Sequence, residues 1–412
     1  MKTNDKRVLL IEPNFPNLTP KIKNKYLPIG LLKLGSYYQN KGYDVKLQRL
    51  CESVEPLDFK PTIIHITSSF TYYSKQVIDA VEYAKYNYNP NKLFVGGIWA
   101  SLMPKVCKEL TGANIIKGIC QETEKLLPNY SLLSEDTDYQ IIHTMRGCNR
   151  KCPQCSGWDI EPLHFEKSIT DKILKKKVVI YDNNFLLNPY IESILEELIE
   201  LKKNKKISTV ESQSGFDGRI LRKKPYLASL LKESGFIKPK IAWDVSYKTR
   251  EKREEEINIL SDGGFPRRLT SVFILFNFQE SLLDVENKRK DCFKWGVQVT
   301  SSRYRPLNSL YDNYRGSKKK QTNKDYYIAP NWTDEQVKLF VRNVREHNIA
   351  IRYGSDFYSA DFERKRLPKS IVDKVKHMDF DQAQYILDDA WCPLYPRLNL
   401  GNDKTKSLDG WF

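Results

Sequence analysis

The chain reads as an α/β protein. Short apolar β-branched runs alternate with amphipathic stretches over residues 1–138, the rhythm restarts in a new register at Tyr139, and three cysteines crowd the end of the first strand after that restart. Together these predict an N-terminal doubly wound Rossmann-like sheet over 1–138, a partial (β/α)6 TIM-like barrel over 139–330, and a small, mainly helical C-terminal segment over 331–412. With 412 residues the chain has enough length for several separate cores.

RVLLIEP (Arg7 to Pro13) is the first buried strand. A loop and the helix IGLLKLGSYYQNKG follow, with Leu31, Leu32 and Leu34 at helical spacing and Gly42 as the stop. DVKLQRL, TIIHITSSF, KLFVGGIWAS and NIIKGI supply four further strands, separated by helical stretches such as YYSKQVIDAVEYAKY and PKVCKELTG. A doubly wound sheet binds ligands at the carboxyl ends of its strands, which places Asn14, Ser68, Ser69, Gly96, Gly97 and Gly118 there. His65 lies inside a strand and is expected in the core.

In the second unit QIIHTMRG leads straight into the cysteine loop. VVIYDNNF, ISTVESQS, KIAWDVSY, TSVFILFNF and VQVTSSRYRP follow as strands, with helices such as NPYIESILEELIELKKN between them. Chemistry in such a barrel collects at the C-terminal strand ends, where Cys148, Cys152, Cys155, Asp182, Asn183, Asn184, Gln213, Asp244 and Ser246 fall. Beyond the barrel, Thr333 caps one clear helix, NWTDEQVKLFVRNVREHN, before a polar tail that carries Trp391, Cys392 and Trp411.

The net charge of +16 admits a nucleic-acid partner, yet lysine predominates over arginine, and runs such as KKNKK (Lys202 to Lys206) and SKKK (Ser317 to Lys320) suit a solvated surface. No stretch approaches the roughly 20 apolar residues that cross a bilayer. With its polar start MKTNDKR, the chain is expected to be cytoplasmic, with no membrane partner. Eight cysteines in so long a chain do not form a disulfide framework. Cys51, Cys107, Cys120 and Cys292 fall within or beside regular elements and read as core filler, and Cys392 as an ordinary cysteine.

Cys148, Cys152 and Cys155, in TMRGCNRKCPQC, have the spacing of a metal site. Structural zinc normally uses two ligand pairs separated by a dozen or more residues, and here only the isolated Cys120, His143 and His164 lie nearby. Three thiolates on a four-iron cluster leave one iron open to an external ligand, and a strand-end loop is a catalytic position.

The CxxxCxxC pattern directly after the first strand of a second α/β unit resembles the radical S-adenosylmethionine superfamily. The segments RG (Arg146, Gly147), YDNNFLLNP, FDGRIL and VFILFNFQES, together with YLPIGLLKLGSYYQNKGYDV, FVGGIWASLMP and GICQETEKLL, are similar to the subgroup that carries an N-terminal cobalamin-binding domain, over about residues 7–310. The resemblance implies that Cys148, Cys152 and Cys155 hold a 4Fe-4S cluster whose fourth iron chelates S-adenosylmethionine. It further implies reductive cleavage to methionine and a 5′-deoxyadenosyl radical, then hydrogen abstraction from an unactivated carbon. Asp182, Asn183 and Asn184 would contact the methionine part of the cofactor, and Gln213, Asp244 and Ser246 the ribose. Ser68, Gly96 and Gly97 would face cobalamin, a candidate second cofactor that would make the enzyme a methyltransferase. The electron would come from a donor such as flavodoxin or ferredoxin; the substrate class, whether small molecule, peptide or RNA, is open.

Two departures stand out. Gln154 occupies the position before the third cysteine where many members carry an aromatic residue, leaving Trp158 as a candidate substitute, and no Asp-x-His-x-x-Gly loop follows Pro13. The alternatives are an RNA-modifying radical enzyme and, outside enzymes, a zinc-stapled nucleic-acid-binding protein.

Overall fold

A computed structural model describes residues 6–16 and 26–353. The first unit is one five-stranded parallel sheet made of β1 (Arg7–Glu12), β2 (Asp44–Arg49), β3 (Ile63–Ser68), β4 (Lys92–Gly97) and β5 (Asn114–Ile116), in the order β2-β1-β3-β4-β5. The direction of winding reverses between β1 and β3, so a crevice opens at their carboxyl ends. Both faces are covered. Leu9 and Ile11 of β1 feed one core with Val77, Val81 and Trp99, whereas Val8 and Leu10 feed a second with Leu31 and Val45. Two-residue alternation along one strand thus serves both layers, which is why these strands read as continuous apolar runs. Helices Ile29–Asn40, Ser74–Tyr88 and Pro104–Thr111 cover the faces.

Tyr139 begins the second unit. β6 (Tyr139–Ile142) ends sooner than the apolar run suggested, and the chain leaves the sheet to form a short antiparallel hairpin, β7 (Met145–Arg146) with β8 (His164–Phe165). The cause is Asp182: it takes the backbone N–H groups of Thr144 and Met145, which a continued strand would have used in its ladder. Parallel strands β9 (Lys177–Ile180), β10 (Thr209–Ser212), β11 (Lys240–Ala242), β12 (Ser271–Phe276) and β13 (Gln298–Arg303) follow. They form two three-stranded sheets, β10-β9-β6 and β11-β12-β13. Among the described residues a parallel bridge, Phe216 to Ile241, joins the two. The seam is at Gly215, which adopts φ +81° and packs so closely that an added Cβ would lie 2.7 Å from the Lys240 carbonyl.

Helix Ile191–Lys203 and helix Arg250–Asp262 send Leu195, Leu198, Ile257 and Leu260 into one large core. Helix Leu282–Lys294 opens with a capping box made by Ser281 and Asp284. Helix Asp334–Tyr353 is held at its start by Thr333, whose hydroxyl accepts from the Gln336 N–H at 3.2 Å. Its Val337, Phe340 and Val344 join the same core, and Asn348 bonds to both backbone groups of Val299. Among the described residues no helix is long and apolar enough to cross a membrane. Cys392, Trp391 and Trp411 lie outside the described residues.

Candidate functional site: a cysteine loop and an inter-domain cavity

Asp182 is the foundation of the cysteine loop. It is 2% exposed and accepts from Thr144 N at 2.7 Å, Met145 N at 3.1 Å and the Thr144 hydroxyl. Burial pushes its carboxyl up to about 7 against the lowering pull of those bonds. Its oxygens are therefore spent on the turn beneath the loop, with no bond to the loop's thiols. Gly147 then adopts φ +70°, and an added Cβ would sit 2.6 Å from the Glu161 carbonyl of the returning chain, so only glycine fits before Cys148.

Within the loop, Cys155 N bonds to the Cys152 carbonyl at 3.1 Å, and the Trp158 indole donates to the same oxygen at 3.1 Å. Trp158 thus braces the loop backbone. Cys148 and Cys152 are half-buried and Cys155 is exposed; all are free thiols. Burial raises the Cys152 pKa, the neighbouring Cys155 and Cys148 raise it further, and Arg219 opposes them. The three sulfurs thus share one electrostatic environment. Among the described residues no three His, Cys, Asp or Glu groups converge tightly enough to hold one metal ion.

Arg150 and Gln154 flank Cys152. Arg150 grips Asp217, at 2.9 Å through Nε and 2.7 Å through an Nη, and Asp217 in turn caps helix Gly218–Lys223 through the Arg219 N–H. On the other side Gln154 faces Asp244, just beyond β11, and acts to lower its pKa. Burial raises the Asp244 carboxyl, while Lys288 and Gln154 oppose that rise. Lys288 is itself buried, donating to the Trp243 carbonyl at 3.1 Å and pairing with Glu280.

Asn184 donates to Asp217 at 3.0 Å, and the side-chain amide oxygens (Oδ1) of Asn183 and Asn184 are both buried without a hydrogen-bond partner. Asn183 stands against the loop at Gly157, where an added Cβ would be 2.3 Å from its Nδ2 and 3.7 Å from Cys155 Sγ. Two orphan acceptors beside three thiols fit a sulfur-ligated cluster whose further ligand carries an N–H donor such as an ammonium. Asn183, Asn184 and Asp244 are therefore brought to the loop. Gln213 and Ser246 are exposed, and no hydrogen bond links them to it among the described residues; Ser246 instead caps a short turn by accepting from Lys248 N at 3.3 Å.

The carboxyl ends of the N-terminal sheet face a second feature, a cavity of about 360 Å³ between that sheet and the start of the cysteine loop. This volume falls within the usual range of ligand pockets. Gly30, Gly96, Gly97 and Gly118 line it. An added Cβ at Gly30 would meet nothing within 4 Å, and at Gly96 only Ile116 at ordinary contact distance, so both keep the space open. Gly97 is needed for backbone reasons, with φ +103° and an added Cβ 2.1 Å from the Ser68 carbonyl. Ser68 is self-satisfied, donating to the Gly96 carbonyl at 2.8 Å and accepting from Ala100 N at 3.1 Å.

One end of the cavity is a charged seam joining both units. Arg146, next to the loop, bonds Glu124 at 2.8 and 3.2 Å and reaches Glu161 at 3.5 Å, and Lys33 donates to the Glu124 carbonyl at 2.6 Å. Cys120 lines this wall and is half-buried, rather than filling a core as its position in the sequence suggested. His65 is buried, stacked on Phe94 at 4.9 Å and bonded to Tyr38 at 2.8 Å. Burial lowers its pKa to about 4. His143 and Tyr181, absent from the sequence-based candidates, also line the cavity.

No family model and no curated protein sequence matches the chain. Among solved structures it resembles the radical S-adenosylmethionine methyltransferase TsrM from Kitasatospora setae, determined with its tryptophan substrate and an aza analogue of S-adenosylmethionine. The TM-score is 0.54 at 13% identity, covering 74% of this chain and 75% of that one. The two proteins share a fold.

Proposed function

We propose that this chain is a radical S-adenosylmethionine enzyme, with Cys148, Cys152 and Cys155 holding a 4Fe-4S cluster. The observation that carries this reading is the tethered three-thiol loop set beside the two unpartnered acceptors of Asn183 and Asn184. When bound, the cluster and its sulfonium ligand supply one-electron cleavage to methionine and a 5′-deoxyadenosyl radical for hydrogen abstraction. The protein's part is positional. Asn183 and Asn184 would accept from the cofactor's ammonium, Arg150 holds the loop to Asp217, and Asp182 keeps the turn beneath it closed. Gln213 and Ser246 are assigned no part in this arrangement.

Cobalamin-dependent methyl transfer is the favoured reaction. The glycine-floored cavity lies where a 2-1-3-4-5 sheet binds cofactors, and it lies against Arg146 at the root of the cysteine loop. Residues 1–138 would hold the corrin, residues 139–330 the cluster, and the helix over 334–353 would brace the barrel from outside. A cytoplasmic flavodoxin or ferredoxin would deliver the electron. Anaerobic reconstitution tests the reading: about four irons and four sulfides per chain are expected. The cluster's electron paramagnetic resonance signal should change when S-adenosylmethionine is added. Zinc, or iron content unchanged in Cys152→Ala, contradicts it.

A further inference from the structure

A basic rim runs from the cysteine loop onto the outer wall of the barrel. Lys151, between Cys148 and Cys152, is exposed and adopts φ +46°, a left-handed backbone that glycine or asparagine takes with less strain. Arg219 is exposed as well and lies close enough to Cys152 and Cys148 to sense their charge. Further along the same helix, Gly218–Lys223, come Arg222 and the exposed Lys223, and Lys224 follows. Lys224 pairs with Glu192 of helix Ile191–Lys203, so the rim leads down the flank of the barrel and away from its mouth. Nearby carboxylates leave a positive surplus. Asp217 is shared by Arg150 and Arg219, and Glu256 by Arg222 and Arg253, two guanidiniums to each carboxylate. Among the described residues Lys151 and Lys223 have no ion pair.

Such a surplus attracts and orients an anionic partner. Its position says which kind. The inner end of the rim is Cys155, the one exposed thiol of the three, beside the Trp158 indole, which is 37% exposed and braced on the Cys152 carbonyl. An exposed aromatic anchor flanked by charge suits a protein interface. A cluster on these thiols would come nearest to solvent at Cys155, and electron transfer falls off steeply with distance. A polymeric substrate such as RNA would have to enter the barrel mouth, which lies away from Lys223 and Lys224. We propose that the rim from Lys151 to Lys224 is the docking surface of an acidic one-electron carrier protein. One electron leaves the carrier, which is oxidised by one unit, and enters the cluster on the Cys155 side, which is reduced by one unit. The proposal rests on the cluster reading and gives the electron donor its place on the chain.

The test is the affinity of the full reconstituted chain for a purified acidic flavodoxin, measured by anaerobic calorimetry from about 0.05 to 0.3 M salt. Lys151→Glu combined with Lys223→Glu reverses two exposed charges that pair with nothing in this chain. The double variant should weaken binding by about tenfold at low salt and flatten its fall as salt is added. Lys319→Glu combined with Lys320→Glu makes the same change in net charge on the exposed run at 317–320, and should stay within about twofold of wild type. Iron content and dithionite-driven 5′-deoxyadenosine formation should be unchanged in both. Unchanged binding in the first double variant overturns the docking surface, and so does equal weakening by the two, which would mean attraction to net charge alone. Tighter binding of poly(U) than of flavodoxin, lost in the first double variant, makes the rim a nucleic-acid surface and overturns the proposal as well. No dithionite-driven cleavage by the wild type overturns the cluster reading and the proposal with it, whereas the affinities decide the docking surface separately.

Discussion

Replacing Asp182 probes the foundation of the cysteine loop. In Asp182→Ala, two buried backbone N–H groups, Thr144 and Met145, and the Thr144 hydroxyl lose their acceptor. Each stranded buried group costs about 1–3 kcal/mol, so the substitution should destabilise the fold by about 3–5 kcal/mol. Asp182→Asn behaves differently. Both backbone groups bond to Oδ1, which asparagine retains, and its amide can donate to the Thr144 hydroxyl in place of the present bond. That variant should lie within about 1 kcal/mol of wild type near neutral pH.

The pH dependence supplies a second check on the same residue. The folded carboxyl, pushed up to about 7 by burial, binds its proton more tightly than the unfolded one. Its stabilising contribution is therefore complete below the unfolded pKa and is lost as pH rises toward and through 7. Wild type should lose stability relative to Asp182→Asn across that window. Urea denaturation of the three proteins between pH 4 and 8 reads both effects. A loss below about 1 kcal/mol in Asp182→Ala, or a wild-type curve parallel to that of Asp182→Asn, would refute the assignment.

Other substitutions probe neighbouring links. Gly147→Ala forces a side chain into a positive-φ position 2.6 Å from a carbonyl. It should sharply reduce iron incorporation while far-ultraviolet circular dichroism stays near wild type. Arg150→Leu leaves Asp217 without its loop partner, and should speed hydrogen exchange in residues 148–158 of the cluster-free protein, as read by mass spectrometry. His347 is fully buried, its Nε2 bonded to the Val297 carbonyl at 2.7 Å, with its pKa lowered to about 3 by burial. The unfolded imidazole takes up a proton as pH falls below about 6.5 and the folded one does not, so stability is lost in acid. Going from pH 6.5 to 4.5, wild type should lose about 2–3 kcal/mol more than His347→Gln in urea titrations.

Much of the architecture was legible in the sequence because it is written in short-range patterns. All five strands of the first sheet lie within the apolar runs identified, and the lysine runs at 202–206 and 317–320 are exposed as their charge suggested. The break after β6 was hidden because its cause, Asp182, is 38 residues from Thr144. The same distance makes Asp182 look like a cofactor contact: a carboxylate at a strand end reads alike whether it faces a ligand or a neighbouring backbone. Ser68 repeats that ambiguity, its hydroxyl consumed by Gly96 and Ala100. His143 and Tyr181 could not be picked out because the cavity they line exists only once both units are assembled. Lys288, Arg289 and Glu286 sit in a helix whose charged sequence suggests solvent exposure, yet all three are buried. Their partners, Trp243, Glu280 and Asn343, come partly from other elements, which local charge patterning does not reveal.

The most direct test of the central claim is 5′-deoxyadenosine formation. The reconstituted wild-type protein and Cys152→Ala are each incubated anaerobically with S-adenosylmethionine and dithionite, and the products separated by chromatography. The proposed function predicts 5′-deoxyadenosine and methionine from wild type and neither above background from Cys152→Ala. Intact S-adenosylmethionine with a fully loaded wild-type protein, or equal cleavage by both proteins, would contradict it.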